Sequence, residues 1–168
     1  MRGRLAGWFT AAAAGLVLVA ACAPVEIRPP QGQLEFDLLG RIAARYGQES
    51  FTGNVSWRHA REGDEMLIST PFGQGVARIL REGEAVQLTT ADGKQHRAND
   101  AEDLTERVLG FRVPLVGLAE VVQGRPSPEL ESRGWKVEVQ ERDEQRRPMR
   151  LRATYQGIDL RLAVTQWK

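Results

Sequence analysis

The sequence contains one cysteine, two histidines and three lysines in 168 residues. A lone cysteine cannot close an internal disulfide, so packing must hold the fold. The histidines, His59 and His96, stand far apart beside turns and are expected at the solvent surface, and no metal-ligand spacing can be assembled from them. The net charge is only +1, which argues against a general nucleic-acid binder. Gly73-Gln74-Gly75 lacks the Lys-Ser or Lys-Thr pair and the strand-to-helix context of a phosphate loop, so it reads as a turn feeding a strand. No nucleophile elbow or paired-acid framework orders the many Ser, Asp and Glu residues. No enzyme, cofactor or metal is therefore expected.

Long hydrophobic runs are also missing, with one exception at the start. Arg2 and Arg4 precede an apolar stretch from Leu5 to Ala21, which ends at Cys22. About 17 residues is the low end for a spanning helix, and no basic stop-transfer flank follows, so residues 1–21 read as an export signal peptide. The run Leu18-Val19-Ala20-Ala21-Cys22 resembles a bacterial lipobox, which implies that Cys22 becomes a diacylated, N-acylated first residue. Several acyl chains on one residue make a stable anchor where a single chain does not. By resemblance to the lipoprotein sorting rule, Ala23 rather than Asp implies the outer membrane, with the body facing the periplasm. An ordinary cleavage site beside a free thiol is the alternative. The Pro- and Gly-containing start of the mature chain makes residues 22–33 a flexible tether, leaving residues 34–168 as one domain.

Beyond the tether the dominant period is two. Leu34, Phe36, Leu38, Ile42, Ala44 and Tyr46 share one parity, and Phe51, Gly53, Val55 and Trp57 repeat the pattern after Gly47-Gln48-Glu49. Leu39 is off parity, and Gly40 beside it permits a bulge. Four more strands are expected near 64–70, 75–81, 84–90 and 93–98, with Asp92-Gly93 as a type I′ hairpin turn. The period then changes. Asn99 or Asp100 can cap a helix over Ala101 to Leu109 that stops at Gly110, and a second helix starts near Pro114 and ends before Gly124. Arg125 to Arg133 reads as a connection. Strands return around Trp135–Val139, Met149–Tyr155 and Ile158–Val164, with Gln156-Gly157 as a tight link. This predicts a mainly β fold with a short helical insert. A curved antiparallel sheet of about nine strands would leave an apolar face that only the two helices can cover.

Several motifs in order resemble one family. They are Phe36-Asp37-Leu38-Leu39-Gly40-Arg41-Ile42, Phe51-Thr52-Gly53-Asn54-Val55-Ser56-Trp57 and Ser69-Thr70-Pro71-Phe72-Gly73-Gln74-Gly75, followed by Val113-Pro114-Leu115, Gln123-Gly124-Arg125-Pro126, Gly134-Trp135-Lys136-Val137 and Gln166-Trp167. With the lipobox Cys22 they resemble the LolB outer-membrane lipoprotein receptors across nearly the whole mature chain. The resemblance implies a half-open β-barrel, as in LolA and LolB, with a helical lid over an apolar cavity. It also implies a monomeric receptor that takes triacylated lipoproteins from the periplasmic carrier LolA and inserts them into the inner leaflet of the outer membrane, touching its phospholipids. Pro71, Phe72 and Gly73 match the family's protruding loop, where an apolar residue assists membrane insertion.

Cavity walls are expected from Phe36, Leu38, Ile42, Val55, Trp57, Ile68, Val137, Leu151 and Leu160 on the strands, with Val108, Leu115 and Leu118 on the helices. Hydrocarbon burial needs shape and apolar area rather than a polar motif, and Trp57 could serve as a movable wall. Each of these residues could equally be plain core. The arginines from Arg142 to Arg152 could meet phosphates or an acidic partner, or be a solvated hairpin. Two other classes fit the same chain: a scaffold lipoprotein that binds another envelope protein, and an envelope hydrolase.

Overall fold

The computed structural model describes residues 27–168. The expected signal peptide, Cys22 and the beginning of the tether lie outside the described residues. Nine strands alternate inward and outward as the period of two requires: β1 (Phe36–Tyr46), β2 (Glu49–Ala60), β3 (Gly63–Ser69), β4 (Gly75–Glu82), β5 (Ala85–Thr90), β6 (Gln95–Ala98), β7 (Lys136–Arg142), β8 (Pro148–Tyr155) and β9 (Ile158–Trp167). They form one antiparallel sheet in the order β6-β5-β4-β3-β2-β1-β9-β8-β7. The two edge strands, β6 and β7, are joined by the helical segment, and the half-barrel stays open between them.

That segment contains three helices. In α1 (Ala101–Leu109), Asp100 accepts from the Asp103 N–H, Glu102 and Asp103 occupy the acid-favouring first turn, and Gly110 closes the helix with φ +83°. The second helix, α2 (Leu115–Val122), follows Pro114 and buries Leu115, Ala119 and Val122. A third, α3 (Pro128–Ser132), occupies the stretch expected to be a plain connection. Its signal is Ser127 as cap followed by Pro128 at the first helical position. The α1 helix packs on β5 and β6, α2 on β8 and α3, and α3 on β7, so the segment lies across the concave face.

Three local expectations change. Leu39 does not break the parity of β1, because it faces the outer side of the sheet. A register shift does fall at Leu39/Gly40, but the extra residue is on β9, where Thr165 is left unpaired and donates its hydroxyl to the Leu39 carbonyl at 3.1 Å. Asp92-Gly93 is not a type I′ turn, since only Gly93 has positive φ; Gly93 donates to Thr90 and Thr90 to Lys94, giving a three-residue loop with glycine in the left-handed position. Type I′ geometry occurs instead at Gln156-Gly157, with φ +40° and +86°. Finally, the described part of the tether is docked. Ile27 and Pro30 are buried, Pro30 lies against Gly63, and the Arg28 N–H donates to Glu82. Removing an isoleucine from water stabilises by roughly 1.5–3 kcal/mol, enough to hold such a short segment on the surface.

Candidate acyl-binding face and exposed hairpin tip

The concave face is apolar because the inward parity of every central strand is. Leu38, Ile42, Val55, Ile68, Leu151 and Leu160 are all buried there, and Leu115 meets them from α2. Val108, Leu118 and Val137 are half-buried against the same core. Between sheet and helices remains a void of about 30 Å³. Of the expected walls, Ile42, Val55, Trp57, Leu118, Leu151 and Leu160 line it, joined by Met66, Val113, Ala153 and Leu162. Phe36, Leu38, Ile68, Val108, Leu115 and Val137 do not. Phe36 lies at the far end of the core, stacked on His59 at 4.9 Å and edge-on to Trp57 at 5.1 Å. A space that size holds about one water-sized group, so the helical cover largely fills the concavity.

Two buried polar clusters fix this closed arrangement, and neither was expected. Asp64, fully buried, accepts from the Trp57 indole N–H at 2.7 Å and from Arg81 Nε at 2.6 Å, and lies 2.7 Å from His59 Nδ1. An ionised carboxylate only accepts, so Nδ1 of His59 carries the proton. His59 is therefore not a surface residue; it is 6% exposed, with Glu35 3.5 Å from its other nitrogen. His96 is half-exposed on β6. Trp57 borders the void with its indole N–H bonded to Asp64 and its ring edge-on to Phe36.

In the second cluster, buried Glu102 of α1 accepts from the Trp135 indole at 3.0 Å and from Arg133 at 2.9 Å. Trp135 stacks on Tyr155 of β8 at 5.1 Å. The contact ties the start of the cover to the edge of the sheet. Within the cover, α2 and α3 approach closely at Gly117, where a Cβ would lie 2.3 Å from Leu130 Cγ and 2.9 Å from Ser127 Oγ. Gly117→Ala is expected to push α3 off α2 and cost about 1–3 kcal/mol. Urea unfolding midpoints would register the loss, and an unchanged midpoint would show that the cover accommodates the methyl.

The hairpin between β3 and β4 differs from the rest of the surface. Gly73 donates to the Thr70 carbonyl at 2.9 Å, Thr70 donates to the Gln74 carbonyl at 2.8 Å, and Gly73 has φ +86°. This is a type I turn with Pro71 at its favoured position and glycine in the left-handed position, the same geometry as the Thr90–Lys94 loop. Asn54 Nδ2 braces it from β2 by donating to the Thr70 carbonyl at 3.2 Å. At its tip Phe72 is 94% exposed. Burying a phenylalanine is worth roughly 1.5–3 kcal/mol, so a rigid turn that displays one to solvent forgoes a large gain. The Arg142–Arg152 stretch divides: Arg147 bridges Asp143 and lies over Trp167 at 5.3 Å, whereas Arg150 and Arg152 belong to β8.

An open antiparallel half-barrel with its apolar face under a helical cover defines a recognisable fold class. The chain is similar in fold to a LolA superfamily protein from Nitrosomonas europaea, with a TM-score of 0.51 at 12% identity over 84% of this chain and 88% of that one. Sequence narrows the class. The family model described as "Outer membrane lipoprotein LolB" matches residues 34–167, and the chain belongs to that family. Similar proteins named "Outer-membrane lipoprotein LolB" include those of Thiobacillus denitrificans, at 31% identity over 83% of this chain and 87% of the relative, and Azoarcus, at 33% over 90% of each. Another, from Dechloromonas aromatica, is 34% identical over 90% of this chain and 92% of the relative.

Proposed function

We infer that the protein is an outer-membrane receptor that accepts acylated lipoproteins from a LolA-like periplasmic carrier and passes them into the membrane. The observation that carries this is the pairing of a covered apolar concavity with an exposed Phe72 held on a braced turn. Among the described residues no helix is long and apolar enough to cross a membrane. In this reading, lipid chains on Cys22 hold the molecule at the outer membrane with its body in the periplasm, and a monomer performs the cycle, contacting outer-membrane phospholipids at delivery.

Hydrocarbon burial stabilises by roughly 0.8 kcal/mol per CH₂, which makes an exposed acyl chain strongly unfavourable and gives capture its driving force. The interior is filled when empty of cargo, so the chains must displace the α1–α2 cover. Leu118 is half-buried at the void and Val108 on α1 is also half-buried, so these are the points on the cover where an entering chain meets the least packing. Reclosure of the cover regains those contacts when cargo leaves, and this limits how tightly cargo is held. Direction comes from differential affinity alone, and the cycle includes no covalent step.

The test loads the carrier with a labelled triacylated lipoprotein and mixes it with the protein bearing Cys22→Ser. The label should move onto this chain and then into added liposomes. Label that stays on the carrier would overturn the reading and leave a scaffold role.

A further inference from the structure

The outer face of the sheet carries a charge pattern that acyl capture does not use. β3 stops pairing with β2 at Asn54, although β2 begins at Glu49, so the Phe72 hairpin leaves the sheet part-way along. Beside it runs a groove of about 540 Å³ bordered by Pro71, Asn54, Arg41, Arg150 and Arg161. The register explains why these arginines converge. Arg41 lies opposite Ala163 and Ala163 opposite Arg150 in one row, while Ala43, Arg161 and Arg152 form the next. Small alanines between the long side chains leave the floor open. Arg45 stands two residues further along β1 on the same face.

These five guanidiniums are poorly neutralised. Asp159 is shared by Arg152 and Arg161, which hold its carboxyl at about 2, and Glu141 pairs with Arg150 at 2.7 Å. Glu138 stands opposite Arg152 without an ion pair. Among the described residues no carboxylate lies within ion-pair distance of Arg41 or Arg45, and both are exposed. A groove with surplus positive charge therefore adjoins the one large aromatic that, among the described residues, is displayed to solvent. A basic rim at headgroup depth beside an apolar tip at hydrocarbon depth is the arrangement of an interfacial anchor.

We propose that this outer-face groove receives the phosphates of an anionic phospholipid surface through Arg41, Arg150 and Arg161 while Phe72 enters the hydrocarbon beside them. The proposal deepens the receptor reading, since it rests on Phe72 as the membrane-facing tip. It names the chemistry of the surface approached: guanidinium forks match phosphate oxygens, and phosphatidylcholine offers them without net negative charge.

The test uses the full chain with Cys22→Ser, without carrier or cargo, and measures co-sedimentation with vesicles of phosphatidylcholine alone or mixed with phosphatidylglycerol. The mixed vesicles should bind more tightly, and R41Q/R161Q should weaken that binding about 30-fold while leaving binding to phosphatidylcholine unchanged. The charge-matched variant R61Q/R107Q, whose positions lie outside the groove, should change neither. Three results would overturn the proposal: parental binding by R41Q/R161Q, an equal loss in R61Q/R107Q, or displacement by millimolar inorganic phosphate, which would mark a site for the free anion. Transfer from the loaded carrier is measured separately. Its failure would remove the receptor reading and leave the vesicle result standing.

Discussion

Phe72→Glu should leave the fold and the uptake of cargo intact while slowing delivery to liposomes about 30-fold or more. The wild-type ring is 94% exposed, so its replacement forfeits almost no intramolecular contact and the change in stability should stay within about 0.5 kcal/mol. At a bilayer the balance reverses. Transfer of the ring into hydrocarbon contributes roughly 2 kcal/mol, and a carboxylate in its place opposes entry. Phe72→Leu should deliver nearly as well as the parent, because polarity rather than ring shape is what the tip supplies. The decisive measurement is the rate at which a labelled lipoprotein, already on this protein, appears in vesicles. A parental rate for Phe72→Glu would exclude the tip from delivery.

The largest stability effect is expected from Asp64→Leu, about 3–5 kcal/mol. Its carboxylate is fully buried and serves Trp57, His59 and Arg81 together, and Arg81 is itself buried. Removing the acid leaves the Arg81 guanidinium, still bonded to the Gly83 carbonyl, without a counter-charge and two N–H donors without their acceptor, where the cost is that of an uncompensated charge. Adding Arg81→Met to Asp64→Leu should recover part of the loss, since deleting both charges removes the uncompensated one. Urea unfolding followed by tryptophan fluorescence would show both changes. Equal midpoints for the parent and Asp64→Leu would mean that the cluster contributes little. Because Trp57 also lines the internal void, the single variant should loosen the wall on the side opposite the helices.

Much of the fold is legible in the sequence because one face of every central strand is buried, and burial imposes a period of two that a reader can follow from Phe36 to Val164. The helices are marked where the chemistry is local, at Asp100 and Gly110 for α1 and at Pro114 for α2. What depends on register is not legible. Asp64 reads as the polar start of a strand and His59 as a surface residue until β2, β3 and β4 align Trp57, His59 and Arg81 around the carboxylate. Glu102 reads as a first-turn acid until the chain returns 33 residues later and presents the Trp135 indole.

The candidate site shows the same division. Parity identifies the inward residues, but which of them border the void depends on where α2 settles, so Ile42 and Leu151 reach it while Leu38 and Ile68 are buried without bordering it. The exposure of Phe72 follows from a turn that Pro71 and Gly73 specify locally. The arginine groove is the opposite case. A linear reading groups Arg142 with Arg152, whereas the sheet separates the hairpin arginines from Arg150 and Arg152 and sets the latter beside Arg161 on the next strand and Arg41, over a hundred residues away in the chain.

The docked Ile27–Pro30 segment has a bearing on posture. It grips the end of β3 near Gly63, while Phe72 stands past the Ser69 end, about 20 Å away at roughly 3.3 Å per residue. Five peptide units separate position 22 from Ile27, a span that covalent geometry limits to about 18 Å. With the lipid anchor proposed at Cys22, the molecule could not stand upright on that pole and dip its tip into the same bilayer. Under that proposal it would recline, with the long axis of β3 along the surface, or let Ile27 and Pro30 peel away to gain reach.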